Sequence, residues 1–129
     1  MSDSDLVALA LKSREFAHAP YSGFKVGAAL KTVSGEIVGG CNVENVSYGL
    51  TMCAERVALG SAVAAGFSRF QSIAIVSDSE EPVVPCGACR QVLAEFNPQL
   101  KVVSSTVSGK VSEFDLSVLF PRPRQGILG

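Results

Sequence analysis

Two short segments hold most of the residues able to do chemistry: Cys53-Ala54-Glu55 and Pro85-Cys86-Gly87-Ala88-Cys89. Each reads as a loop entering a helix, where unpaired backbone N–H groups and the positive end of the helix dipole favour thiolates over thiols. Cys86 and Cys89 are spaced i, i+3 in a first helical turn, so their sulfurs project to one side and can chelate one zinc ion, with Cys53 arriving from the other helix. Three protein ligands leave a tetrahedral zinc with an open position, as in catalytic sites, where water can bind and be activated. A dication with three thiolates carries a net negative charge and acidifies that water poorly, so a cation is expected nearby. Arg56, three residues after Cys53, can donate hydrogen bonds to the sulfurs; its other reading is a solvated arginine on a helix face. Arg90, beside Cys89, reads as a surface residue. Glu55 lies too close to Cys53 to serve comfortably as a further ligand and suits proton transfer between the activated water and a leaving group.

The remaining candidates are few. Cys41 follows Gly39-Gly40 at the end of an expected strand and reads as a small packed residue; as a fourth ligand it would instead make the zinc structural. His18, the only histidine, follows a helix in a turn and reads as a surface or cap residue.

The chain has 129 residues, 47% of them hydrophobic and 18% charged, with a formal net charge of −1, which suits a single domain over residues 1–129. That charge argues against a nucleic-acid partner, since such proteins carry a basic stripe that displaces counterions. Without an apolar run of about 18 residues or a basic leader before an apolar stretch, no membrane association is expected and the location reads as cytoplasmic. The same absence of a leader makes a disulfide framework of the cysteines a poor reading.

The elements that must position the cysteines follow from periodicity. Residues 5–17 place Leu6, Leu9, Ala10 and Phe16 on one helical face, with Asp3, Ser4 or Asp5 as cap. Residues 26–33 and 36–42 form a hairpin around Ser34-Gly35. An ordered loop spans 42–51, and a second helix runs from Cys53 to Ala65 with Gly66 as its stop. A strand at 73–76, a loop at 80–85, a helix at 86–96 ended by Asn97-Pro98, and strands at 100–104 and 110–114 around Ser108-Gly109 complete a βαβ arrangement. A short helix at 115–120 precedes a proline-broken tail.

Cys-Ala-Glu followed by Pro-Cys-Gly-Ala-Cys resembles the zinc nucleoside deaminases, whose signature is one His or Cys, a nearby Glu and a later P-C-x-x-C. The three-cysteine form is similar to the small homotetrameric cytidine deaminases. The likeness continues through Tyr21-Ser22-Gly23-Phe24-Lys25-Val26-Gly27-Ala28-Ala29, Asn42-Val43-Glu44-Asn45, Ser47-Tyr48-Gly49-Leu50-Thr51 and Arg90-Gln91, covering roughly residues 5–105.

The resemblance implies an α/β, three-layer fold with a mixed sheet of about five strands flanked by helices. It implies one Zn2+ per chain on Cys53, Cys86 and Cys89. It also implies hydrolysis of cytidine and 2′-deoxycytidine to uridine and 2′-deoxyuridine with release of ammonia, a zinc-bound hydroxide attacking C4 while Glu55 shuttles protons. Backbone at Ala54 would meet the pyrimidine carbonyl. Asn42 and Glu44 match a ribose-binding pair, able to accept from and donate to sugar hydroxyls while the carboxylate repels a phosphate. Phe24 matches an aromatic lining the base pocket; its other reading is core filling before a strand. Tyr48 matches a residue that reaches into a neighbouring subunit's site, which implies a homotetramer with sites completed across interfaces. The tail departs from the pattern: arginine stands in Arg122-Pro123-Arg124 where the family has an aromatic, so neither Phe120 nor Arg124 is placed in the site.

Three other readings remain at the level of sequence. A deaminase of a modified or antibiotic cytosine nucleoside would share the metal machinery and differ in pocket contacts. A dithiol redox pair could use Cys86 and Cys89, leaving Cys53 and Glu55 unexplained. A structural zinc module would require Cys41 as its fourth ligand.

Overall fold

The structure, a computed structural model, describes residues 2–124. Its centre is a five-stranded mixed sheet in the order β2-β1-β3-β4-β5. The strands are β1 (Val26–Thr32), β2 (Ile37–Cys41), β3 (Phe70–Ser77), β4 (Lys101–Thr106) and β5 (Val111–Asp115). Only β3 and β4 run parallel; β1 pairs antiparallel with β2 and β3, and β4 with β5. The helices are α1 (Asp3–Arg14), α2 (Ala54–Ala64), α3 (Gly87–Phe96) and α4 (Leu116–Leu119), with a 3-10 turn at Tyr48–Leu50. The three-layer α/β expectation therefore holds, with α3 as the βαβ crossover between β3 and β4.

Strand alternation assigns the layers. On β1, Ala28 and Leu30 join Ile73 and Ile75 of β3 beneath Ala54, Ala58, Leu59 and Ala62 of α2 and Leu93 of α3. The intervening Ala29, with Ala74 and Val76, packs instead against Leu6 and Ala10 of α1. The first helix thus covers one face of the sheet, and the two helices whose N-termini carry cysteines share the other.

Several boundaries differ from the sequence reading for local reasons. The cap of α1 is Ser2, whose side chain accepts from Asp5 N while Asp5 Oδ2 accepts from Ser2 N, a reciprocal box that starts the helix earlier than Asp3, Ser4 or Asp5 would. The helix ends at Arg14, so Phe16 leaves the apolar face and is 72% exposed. Strand β3 extends beyond Ile73–Val76 because both its neighbours bond to it, drawing Ser72 and Ser77 into the ladder. Helix α2 stops where expected: Ala65 is the C-cap and Gly66 follows at φ +97°, the left-handed conformation that suits glycine.

Gly40 sets the distance between sheet and α2. A Cβ there would stand 2.4 Å from Ala58 N and 2.9 Å from Ala54 O, both backbone atoms of the helix. Gly40→Ala must push α2 outward and is expected to cost about 1–3 kcal/mol. A lowered urea midpoint with weakened zinc retention is the expected result; an unchanged midpoint would show that α2 has slack.

Candidate active site

Both cysteine segments enter helices at the positions expected. Cys53 is the N-cap of α2 and Cys86 the N-cap of α3, and neither makes a side-chain capping bond. Serine, threonine, aspartate or asparagine would serve these positions better as caps, so sulfur there reflects a demand other than helix stability. Packing of α2 beside α3 brings the Sγ atoms of Cys53, Cys86 and Cys89 within 4.8 Å of one another. Cys53 Sγ and Cys86 Sγ lie 3.9 Å apart. A tetrahedral zinc with Zn–S bonds of about 2.3 Å sets its sulfurs about 3.8 Å apart, so the cluster fits that ion.

The electrostatics of the metal-free cluster agree with this. Hydrogen bonds from Cys89 first, then from Arg56 and Cys86, lower the Cys53 pKa to about 5 against the burial that opposes them. Cys89 is pushed the other way, far above the ordinary thiol range, chiefly by its hydrogen bond to Cys53 and by burial. Within the Cys53–Cys89 pair the negative charge thus sits on Cys53, and Cys89 takes up charge only when a cation joins them. Arg56 Nη2 donates to Thr51 O at 3.2 Å and stands 3.8 Å from Cys53 Sγ, which favours a thiolate partner over a solvated helix-face arginine. Cys41 lies outside the three-sulfur group, lining a separate groove with Leu9 and Phe16. His18 is exposed and contributes its backbone, donating to Asn42 O and accepting from Glu44 N.

Beside the sulfurs is a cleft of about 340 Å³, a size suited to a small molecule. Phe24, Asn42, Glu44, Tyr48, Cys53, Ala54, Glu55 and Cys86 all line it. Phe24 is 40% exposed, so it does not fill the core. The Asn42 amide holds the strand entrance, its Oδ1 accepting from Val26 N at 2.9 Å and its Nδ2 donating to Phe24 O at 2.8 Å. Glu44 accepts from Tyr21 N, Ser22 N and Ser22 Oγ, and the Ser22 bond leads in holding its pKa below the usual carboxylate range.

Ser22 was missed as a site residue. Its Oγ donates to Glu44 Oε2 and accepts from Phe24 N at 3.0 Å, so one hydroxyl positions both neighbours. Its partner Glu44 is 22 residues away, beyond any local pattern. Arg90 also differs from its expectation: it is half-buried, with Nε donating to Pro85 O and Nη1 to Leu119 O, because a guanidinium can serve two carbonyls at once. In the tail, Arg124 donates to Glu95 O, and residues 125–129 lie outside the described residues.

A sequence model of the cytidine and deoxycytidylate deaminase zinc-binding region matches residues 1–105. The chain belongs to this deaminase family. It is 47% identical over 122 residues to a cytidine deaminase of Sporosarcina psychrophila, covering 94% of this chain and 90% of that protein. The crystal structure of cytidine deaminase from Burkholderia pseudomallei superposes with a TM-score of 0.91 at 50% identity, covering 95% of this chain and 98% of that one. A blasticidin-S deaminase of Bacillus cereus is 36% identical over 104 residues, covering 74% of each chain. The protein is a zinc-dependent hydrolase with a three-cysteine cluster, and a dithiol redox role would leave the third sulfur without a purpose.

Glu55 is 6% exposed, and burial raises its pKa to about 7, with the Cys53 thiolate adding to the rise. In the metal-free protein, the folded state therefore binds a proton that the unfolded chain, with its carboxyl near 4.5, has released. Stability falls as pH rises through that window and levels off above the folded value. Relative to Glu55→Gln, metal-free wild type is expected to lose on the order of 2–3 kcal/mol between pH 4 and pH 8. Paired urea titrations of the metal-free proteins would show the difference; parallel pH dependences would remove Glu55 as its source.

Proposed function

We propose that this deaminase hydrolyses cytidine and 2′-deoxycytidine, as a single domain over residues 1–129, to uridine and 2′-deoxyuridine with release of ammonia. The observation that carries the reading is a buried carboxyl, Glu55, opening into the same cleft as the three-sulfur cluster. Cys53, Cys86 and Cys89 hold the metal, and Arg56 offsets their charge. When bound, zinc supplies the Lewis acidity that turns water into a nucleophile near neutral pH.

The chain's own groups do the rest. Glu55 takes the two protons of the attacking water in turn, passing one to ring N3 and the other to the exocyclic amine, so ammonia rather than an amide anion departs from C4. A carboxyl with a pKa near neutrality suits both directions of that transfer. Ala54 is the first residue of α2, and its N–H belongs to the set without a helical acceptor, available to the pyrimidine carbonyl. The Phe24 ring contacts the base, while Asn42 and Glu44 meet the ribose hydroxyls. The anionic Glu44 also disfavours a 3′-phosphate, which supports a free nucleoside over a strand.

Tyr48 stands on the cleft at 73% exposure, with Val46 at 81% and Leu50 at 67% beside it in sequence. These apolar side chains support a homotetramer in which a neighbouring subunit covers each cleft. No helix among the described residues is long and apolar enough to cross a membrane, and a cytoplasmic location accords with that. A modified or antibiotic cytosine nucleoside is the rival substrate, but the 36% identity to the blasticidin-S deaminase is lower than the 47% to the cytidine deaminase of Sporosarcina psychrophila.

Glu55→Gln is expected to keep one zinc per chain and lose about 10²- to 10⁴-fold in turnover, read as ammonia release from cytidine with zinc measured on the same sample. Wild-type turnover in that variant would remove Glu55 from the mechanism. Ser22→Ala removes one hydrogen bond from each of Phe24 and Glu44 and is expected to raise KM about tenfold with a smaller change in kcat. A change confined to kcat would place Ser22 elsewhere.

A further inference from the structure

The three cysteines are not equally supported. Cys89 is buried and Cys53 half-buried, whereas Cys86 is exposed. Packing therefore constrains Cys86 least, and its position depends on the backbone that delivers it. Pro85, fully buried immediately before it, fixes one backbone dihedral through its ring. The next dihedral is set by where the Pro85 carbonyl points, and Arg90 Nε donates to that oxygen at 2.7 Å. The same guanidinium turns its Nη1 to Leu119 O, 3.0 Å away at the last residue of α4.

This arginine stands one turn into α3, near the positive end of the helix dipole, where a cation is unfavourable. The carbonyls offset that placement: Leu119 ends a helix, where C=O groups lack helical donors and a cation is welcome. Around it the chain after β5 lies along α3, with Gln91 Nε2 donating to Pro123 O and Arg124 Nη2 to Glu95 O. Of these contacts, the Arg90 pair alone reaches the peptide that enters Cys86.

We propose that Arg90 is a positioning residue of the metal centre, locking the Pro85–Cys86 peptide against the C-terminal helix so that Cys86 Sγ is held where zinc requires it. The inference rests on the reading of Cys53, Cys86 and Cys89 as zinc ligands in a cytidine deaminase. Lysine cannot replace the arginine, because a single ammonium lacks the planar fork that bridges both carbonyls. Gln91, which holds the tail without touching the Pro85 carbonyl, separates anchoring of the metal loop from attachment of the tail.

The test uses zinc-loaded wild type, Arg90→Ala, Arg90→Lys and Gln91→Ala. Zinc release to a colorimetric chelator, kcat and KM for cytidine, and urea midpoints are measured on each. Arg90→Ala is expected to release zinc about 10- to 100-fold faster, the range for loss of a partner that orients a ligand, with kcat lowered and KM within about twofold. Arg90→Lys should resemble Arg90→Ala, and Gln91→Ala should resemble wild type. Should Arg90→Ala not fold, the cobalt-substituted Arg90→Lys protein carries the test: a shifted thiolate-to-metal absorption band supports the proposal, and a band identical to wild type overturns it. Wild-type zinc release in Arg90→Ala overturns it too, as does a lowered urea midpoint with unchanged zinc release and kcat. Wild type that holds no zinc or leaves cytidine untouched would sink the underlying reading instead, a result distinct from any of these.

Discussion

Three sulfurs within 4.8 Å of one another impose a constraint that the surrounding structure is arranged to meet. As thiolates they repel, and as thiols they cannot bind a metal, so the site is complete only when a dication and a compensating positive environment act together. Two helix N-termini supply part of that environment and Arg56 another part. The sheet enters as the platform that lets both helices begin at the same place: Gly40 admits α2 at close range, and the parallel β3 and β4 return the chain through α3. Cysteine at both N-cap positions shows which demand prevails, since a better cap at either would remove a sulfur.

The cleft is framed by polar side chains that are themselves tied down. Asn42 and Glu44 each bond to backbone of the 21–26 segment, and Ser22 relays between Glu44 and Phe24. That segment is anchored from the far side as well, Lys25 N donating to Asp78 Oδ2 while Asp78 Oδ1 accepts from Arg14 at the end of α1. Residues from three distant stretches of sequence thus converge on one loop. Preorganisation of this kind lowers the conformational entropy lost when a ligand is ordered, which matters more for a small polar ligand than for one with a large apolar surface.

How far the sequence disclosed this depended on whether the signal was local. The meeting of Cys53, Cys86 and Cys89, with Glu55 and Arg56 beside them, was legible because residue type and spacing place them at two helix starts, and the hairpin and the end of α2 because glycine marks them. Phe16 was misplaced because periodicity continues past Arg14 after the backbone has turned. Ser2 was overlooked as a cap although the box with Asp5 is local, since the adjacent acidic residues offered equally good candidates. Ser22 and Arg90 escaped for a different reason: their partners Glu44 and Leu119 lie 22 and 29 residues away, and only the folded chain brings them together. The arginine in an unfavourable first-turn position was the one local hint, a violated helix rule that pointed to a compensating contact.

The two carboxylates of the cleft show how one pocket can hold opposite protonation behaviour. Glu55, enclosed at the start of α2, has few donors to stabilise its anion and keeps its proton to about pH 7. Glu44, at similar exposure, accepts two backbone N–H groups and a hydroxyl, which hold it ionised. Burial raises the Glu55 carboxyl, whereas the donors facing Glu44 outweigh its burial and hold it down. For the proposed substrate the difference is functional: a group that must give and take a proton needs a pKa near the working pH, whereas one that recognises sugar hydroxyls is best kept as a permanent acceptor. Exchanging the two environments would leave an acid too strong to hold its proton beside the metal and a sugar contact that vanishes as it protonates.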